Sequence, residues 1–177
     1  MTYLIIALIV IIIITVLVLM FISSKNKFTF LNIKINEADS NINLFLQKKA
    51  VGLDNIIKEI QQKKKDDGRF DDYIAEVDKQ KDNYQLHSLL SKYYAKVTKI
   101  LFDNESLAKD SEIIKYLTDL KANEEDLIGS IKFYNDTVVD YNGLINVFPH
   151  KLFAKILGNS EIEFYNNEKE ELFDILK

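Results

Sequence analysis

The chain has 177 residues, a formal net charge of −4 and no cysteine, so it can form neither a disulfide frame nor a zinc–thiolate site. Its 27 acidic residues outnumber 23 basic ones, which argues against a general nucleic-acid binder because such a protein needs a concentrated basic face. With 5 glycines and 1 proline, the composition favours long helices over a turn-rich β fold.

The first element is an apolar run over residues 4–22, in which Thr15 is the one polar side chain. A helix of that length spans about 28 Å, close to the ~30 Å of a hydrocarbon core. We predict a transmembrane anchor over residues 1–24 that contacts the lipid bilayer through residues 4–22. A cleaved signal peptide is the competing interpretation, but the basic start and the short apolar core typical of one are missing.

The direction of the anchor is predicted from charge. Lys25, Lys27 and Lys34 follow the apolar run and precede the first acidic residue, Glu37. Under the positive-inside rule, this side of the membrane is the cytoplasmic one. We therefore expect a single-pass protein of the cell membrane, with its N-terminus outside and its domain in the cytoplasm.

The first segment of the domain repeats apolar residues at alternating spacings of four and three. Its members are Ile42, Leu46, Lys49, Leu53, Ile56 and Ile60. This spacing predicts one face of an amphipathic helix. Lys49 is its one polar member, and Gly68 is expected to end the helix.

A second helix is predicted from Tyr73 to Leu101. Its predicted apolar face contains Tyr73, Val77, Tyr84, His87, Leu90, Tyr94, Val97 and Leu101. The spacing slips near His87, which indicates a local change of helical twist there.

The third segment has the clearest pattern, a heptad seam from Ile113 to Phe148. The seam consists of Ile113, Leu117, Leu120, Glu124, Leu127, Ile131, Tyr134, Val138, Tyr141, Ile145 and Phe148. Glu124 is its one polar exception. Pro149 should end the helix, because proline disfavours helical geometry in the residue before it.

These elements predict an all-α fold. A single N-terminal transmembrane helix is followed by an antiparallel bundle of three long helices and a short C-terminal helix. The juxtamembrane segment covers residues 25–35, the bundle residues 36–158 and the C-terminal tail residues 159–177. The tail either docks on the bundle or lies loose, and Ser160 and Glu163 form a capping-box pattern within it.

A specific motif closes the third helix: two Tyr-Asn pairs seven residues apart, followed by Phe-Pro. These are Tyr134-Asn135, Tyr141-Asn142 and Phe148-Pro149. The motif resembles that of the LemA family, which implies a membrane-anchored antiparallel four-helix bundle without an established molecular activity. The chain departs from the family pattern at Ile131, where members usually carry Arg, at Asp54, where they carry Pro, and at Asn159, where they carry Phe.

The candidate interaction or register residues are Tyr134, Asn135, Tyr141, Asn142, Phe148, Pro149, Glu124 and Lys49. For the Tyr-Asn pairs, buried rings and register-setting asparagines compete with a polar ligand pocket. For Glu124, an ion pair with Lys49 or Lys48, or an exposed bundle end, competes with a carboxylate that binds a partner's cation.

We expect no catalytic, metal or cofactor site. His87 and His150 are the only histidines, too few for a multi-histidine metal site, and no phosphate loop or nucleophile motif occurs. His87 is expected at a helix interface and His150 on the surface. The expected function is a LemA-type scaffold that binds an unidentified membrane or membrane-associated protein. The alternative is an accessory or sensing subunit of a membrane protease or transporter complex.

Overall fold

The structure, a computed structural model, describes residues 1–63 and 68–165, and its regular elements in these ranges are all helices. They are α1 (Thr2–Lys63), α2 (Tyr73–Lys79), α3 (Asn83–Phe102), α4 (Glu105–Ala108), α5 (Ser111–Asn146) and α6 (His150–Leu157). The all-α prediction is therefore confirmed for this part of the chain. The residues divide into two compact units: the first comprises 1–37 and 133–164, and the second comprises 38–132 and Tyr165.

Helix α1 is continuous over 62 residues. Its N-terminal part is long and apolar enough to cross a membrane, with a mean hydropathy of 3.7 over its most apolar stretch. Residues 23–37 contain neither glycine nor proline, so the helical hydrogen bonds continue through them without a break.

In the second unit, α1 buries the predicted stripe from Ile42 to Ile60, and no member of it is more than 4% exposed. Helix α5 contributes buried side chains to the same unit, among them Leu120 and Leu127. The two helices approach closely at Gly52, where an added Cβ would lie 2.9 Å from Leu120 Cδ2. Glycine therefore allows a helix contact here that a larger residue would disturb.

The prediction of one continuous second helix was wrong. The chain breaks between α2 and α3, and α3 starts where the Asp82 carboxylate accepts a hydrogen bond from the Gln85 amide at 2.9 Å. The buried residues of α3 are Leu86, Leu90, Tyr93, Val97, Ile100 and Leu101. Up to Ile100 their spacing alternates four and three, so no phase slip occurs at His87, while Tyr84 and Tyr94 are exposed.

Helix α2 is held by tyrosines. The Tyr73 hydroxyl donates to the Ala50 carbonyl at 2.8 Å, and its ring meets the Tyr93 ring edge to face at 4.7 Å. The Tyr93 hydroxyl donates to Glu76 at 2.8 Å. Burial and then this hydrogen bond raise the pKa of Tyr93 to about 12, so the hydroxyl stays protonated and keeps its role as donor.

The first unit has its own core, formed by Phe28, Ile35, Val138, Tyr141 and Ala154. Helix α5 ends at Asn146, two residues before the predicted end, and α6 closes at Gly158 in a left-handed conformation with φ 72°. This geometry favours glycine, because it lacks the Cβ that makes positive φ costly.

The seam of α5 is buried or half-buried at every position from Ile113 to Ile145. Its last predicted member, Phe148, is instead 76% exposed, because the helix has already ended. Residues 159–165 are not helical, so the capping-box pattern at Ser160 does not start a helix. The remainder of the predicted tail, 166–177, lies outside the described residues.

Candidate functional site

Three titratable side chains meet in the second unit, one each from α1, α3 and α5. Lys49 Nζ lies 2.7 Å from Glu124 Oε2, and His87 Nε2 lies 3.9 Å from Glu124 Oε1. Lys49 is only 4% exposed. A buried ammonium is tolerated when a counter-charge accompanies it, so Glu124 explains how a lysine occupies an apolar stripe. Among the alternatives for Glu124, the ion pair with Lys49 is the one present.

The Glu124 carboxylate is held in its charged form. Burial acts to raise its pKa, but His87 and the Lys49 ammonium act in the opposite direction and hold the pKa at about 2. The separation from His87 is longer than a hydrogen bond, so Lys49 supplies the direct contact. Lys48 points elsewhere, with its Nζ 5.0 Å from the centre of the Phe45 ring.

Tyr165 completes the surroundings of His87, and sequence analysis did not identify it. Its ring centroid lies 6.3 Å from that of His87, and its hydroxyl donates to the Asn83 carbonyl at 3.1 Å. Burial is the main cause that raises the pKa of Tyr165. No sequence signal could have found this contact, because it depends on the path of the chain after α6.

In the first unit, the side chain of Asn142 binds the backbone of the segment 161–163. The Asn142 Nδ2 donates to the Ile162 carbonyl and its Oδ1 accepts from the Ile162 amide, both at 2.9 Å. Asn146 donates to the Glu161 carboxylate at 2.7 Å, and the Tyr134 hydroxyl to the Glu163 carbonyl at 3.3 Å. We call this set of contacts the asparagine clasp. It docks the described start of the tail within the first unit.

The other residues of the Tyr-Asn motif have different surroundings. Tyr141 is buried, and its ring meets Phe28 edge to face with centroids 5.7 Å apart. Asn135 is half-buried on α5, whereas Phe148 is exposed and Pro149 forms the N-cap of α6. The motif therefore supplies one core residue, two members of the asparagine clasp and the turn into α6.

Ser24 and His150 form a partly buried polar contact that the sequence did not indicate. Ser24 is fully buried, its hydroxyl donates to the Met20 carbonyl at 2.7 Å, and it lies 2.7 Å from His150 Nδ1. Because the hydroxyl hydrogen is already used, Nδ1 is the donor of this pair. Burial and then the charge of Lys27 lower the pKa of His150, so it is neutral at pH 7. The expectation of an exposed His150 was wrong, since its ring is half-buried.

The polar side chains described above bind other groups of the same chain. Within residues 1–63 and 68–165, no group of three or more His, Asp or Glu side chains is arranged to hold a metal ion. The ion pair joins two helices of the second unit, and the asparagine clasp fixes a chain segment of the first.

Comparison with known proteins agrees with the resemblance seen in the motif. The model of the LemA family matches residues 38–174, which is most of the chain and includes the ion pair, both Tyr-Asn pairs and α6. A search of curated proteins found no match. On the extent of the family match, the chain belongs to the LemA family.

Proposed function

We propose that this protein is a membrane-anchored scaffold: an antiparallel LemA-type bundle that binds another membrane or membrane-associated protein and has no catalytic activity of its own. One observation carries the proposal. Two polar side chains that the sequence singled out pair with groups of the same chain, Glu124 with Lys49 and Asn142 with Ile162. An active site instead needs reactive groups that converge on a substrate.

The anchor is supported by the exposed side chains of α1. Its large apolar residues from Leu4 to Leu19 are between 47% and 76% exposed, and lipid is the environment that would cover such a run. We place the bundle in the cytoplasm and the N-terminus outside, because the lysines at 25, 27 and 34 follow the run.

Cysteine labelling tests this topology, because the chain has no native cysteine. Lys121→Cys on the exposed side of α5 should react with a membrane-impermeant maleimide only after cell lysis. Thr2→Cys is the matched control and should react in intact cells. Reaction of Lys121→Cys in intact cells would place the bundle outside.

The scaffold role is tested with Lys49→Met/Glu124→Leu, which replaces the ion pair by apolar side chains of similar size. Proteins crosslinked to the full chain in intact membranes are quantified for the wild type and for this variant. We expect the same proteins in the same amounts, because the pair serves packing. Absence of any specifically crosslinked protein from the wild type would contradict the scaffold role. Loss of the crosslinked proteins while the variant stays folded would contradict the view that the pair serves packing alone.

The alternative, an accessory or sensing subunit of a membrane protease or transporter complex, is favoured by the continuity of α1 from the apolar run to Lys63. This role requires a stoichiometric partner. Co-purification in detergent with one partner at a fixed ratio would favour the sensing role over a general scaffold.

A further inference from the structure

Helix α6 packs on the part of α1 where the apolar run ends. The Phe153 ring meets the Phe21 ring edge to face, with centroids 5.5 Å apart, and His150 contacts Ser24. Leu157, in the last turn of α6, packs against the core of the first unit. Because Phe21 belongs to the final turn of the run, these contacts hold α6 at the level where α1 changes from apolar to polar sequence.

The exposed surface of α6 is divided into an apolar side and a basic side. At 3.6 residues per turn, Ile156 and Leu152 lie about 60° and about 100° around the helix from Phe153. Both are exposed, Leu152 at 58% and Ile156 at 67%. Lys151 and Lys155 are exposed about half a turn away from Phe153. Leu152 and Ile156 therefore lie between Phe153, which contacts Phe21, and the two lysines.

We propose that α6 and the turn before it form an interfacial membrane helix. Phe148, Leu152 and Ile156 insert into the boundary between headgroups and acyl chains, in the leaflet that α1 leaves near Ile22. This inference rests on the proposed anchoring of α1. Its occupant is lipid, because these exposed side chains neighbour Phe153, and Phe153 contacts the last turn of the run that lipid would cover.

The composition of α6 fits this position. Interfacial helices combine a face of Phe and Leu with a face of lysines that reach the lipid phosphates. Three exposed apolar side chains would bind a membrane weakly alone. In this chain, however, contacts to Phe21 and Ser24 already hold the helix beside the anchor, so the local concentration of lipid is high and no separate association step is needed.

Spin labels on single cysteines test the proposal in the full chain, reconstituted in vesicles of phosphatidylcholine and phosphatidylglycerol. Leu152→Cys reports on the apolar side, and Lys151→Cys is its matched control on the basic side. Val10→Cys, in the middle of the run, is the standard for full membrane depth. For each label, the ratio of collisions with oxygen to collisions with a nickel chelate is measured, since oxygen concentrates in lipid and the chelate in water.

We expect the ratio at Leu152→Cys to be several-fold higher than at Lys151→Cys and below that at Val10→Cys. A high ratio at Val10→Cys with equal, low ratios at the two α6 positions would overturn the interfacial helix but leave the anchor intact. A low ratio at Val10→Cys would contradict the anchoring itself. Exclusion of both reagents from Leu152→Cys would show that protein and not lipid covers this side of α6, which also overturns the proposal.

Discussion

Lys49 Nζ and Glu124 Oε2 lie 2.7 Å apart, and these two residues are the one polar interruption in each of two apolar stripes. Their exposure differs: the Lys49 side chain is 6% exposed and that of Glu124 is 31% exposed. Water can therefore compensate for a lost partner at Glu124 but not at Lys49, and the two single substitutions should have unequal effects.

Glu124→Leu should destabilise the protein by ~3–5 kcal/mol, because it leaves a buried ammonium without a counter-charge. Lys49→Met should cost less, ~1–2 kcal/mol, because the remaining carboxylate reaches solvent. Lys49→Met/Glu124→Leu should lie within ~1 kcal/mol of the wild type. Chemical denaturation in detergent measures all three. An equal loss of stability in the two single variants would show that the different burial of Lys49 and Glu124 does not determine the effect of each substitution.

The ion pair also predicts a pH dependence. The pKa of Glu124 is about 2 in the folded protein against an ordinary value of 4.5, so folding lowers it. The resulting stability, no more than ~3 kcal/mol, is fully present above about pH 4.5 and is lost as the pH falls towards 2. The difference in melting temperature between wild type and Glu124→Gln should therefore be smaller at pH 3 than at pH 7. A constant difference between the two proteins would exclude Glu124 as the titrating group.

Asn142→Ala should release the segment 161–163, because it removes both hydrogen bonds to Ile162. Each neutral bond contributes ~1 kcal/mol, so hydrogen exchange at the Ile162 amide should accelerate by about tenfold or more. Asn146→Ala is the control, since it removes the contact to Glu161 without touching Ile162. Equal acceleration in the two variants would mean that the segment is not held mainly by Asn142.

Glycine substitutions test the close contact of α1 and α5. Gly129→Ala should stabilise the protein by ~0.5–1 kcal/mol, because this helical position has open space around it. Gly52→Ala gains the same helix propensity, but it places a methyl group against the Leu120 side chain. We expect it to be less stable than Gly129→Ala by ~1–3 kcal/mol. Denaturation of the two variants side by side gives this difference, and a stabilised Gly52→Ala would show that the contact relaxes freely.

Much of the helical architecture could be predicted from periodicity. The stripes of α1 and α5 were recognisable because burial selects apolar residues at spacings of three and four, and their one polar member each suggested the ion pair. The buried face of α3 was predicted with the wrong members. Tyr84 and Tyr94 fit a helical spacing of apolar residues as well as the buried Leu86 and Tyr93 do. Nothing local distinguishes the tyrosine that packs against Tyr73 from its neighbour.

Contacts that depend on the path of the chain could not be predicted. The capping-box pattern at Ser160 favours a helix locally, but Asn142 offers the backbone of Ile162 a different partner. The burial of Ser24 likewise follows from the return of α6 to α1, which no spacing within α1 indicates. The break before α3 occurs without glycine or proline and had no strong signal.

The asparagine clasp also has a consequence for variation of the chain. Asn142 reads only the amide and carbonyl of residue 162, groups that every amino acid except proline provides. These two hydrogen bonds therefore do not depend on which side chain residue 162 carries. The side chain matters only because the half-buried Ile162 fills space against the core. The position of this segment is therefore fixed mainly by α5. Substitutions of Glu163, whose carbonyl alone accepts a hydrogen bond, should be tolerated, whereas substitutions of Asn142 or of Glu161, whose carboxylate accepts from Asn146, should not.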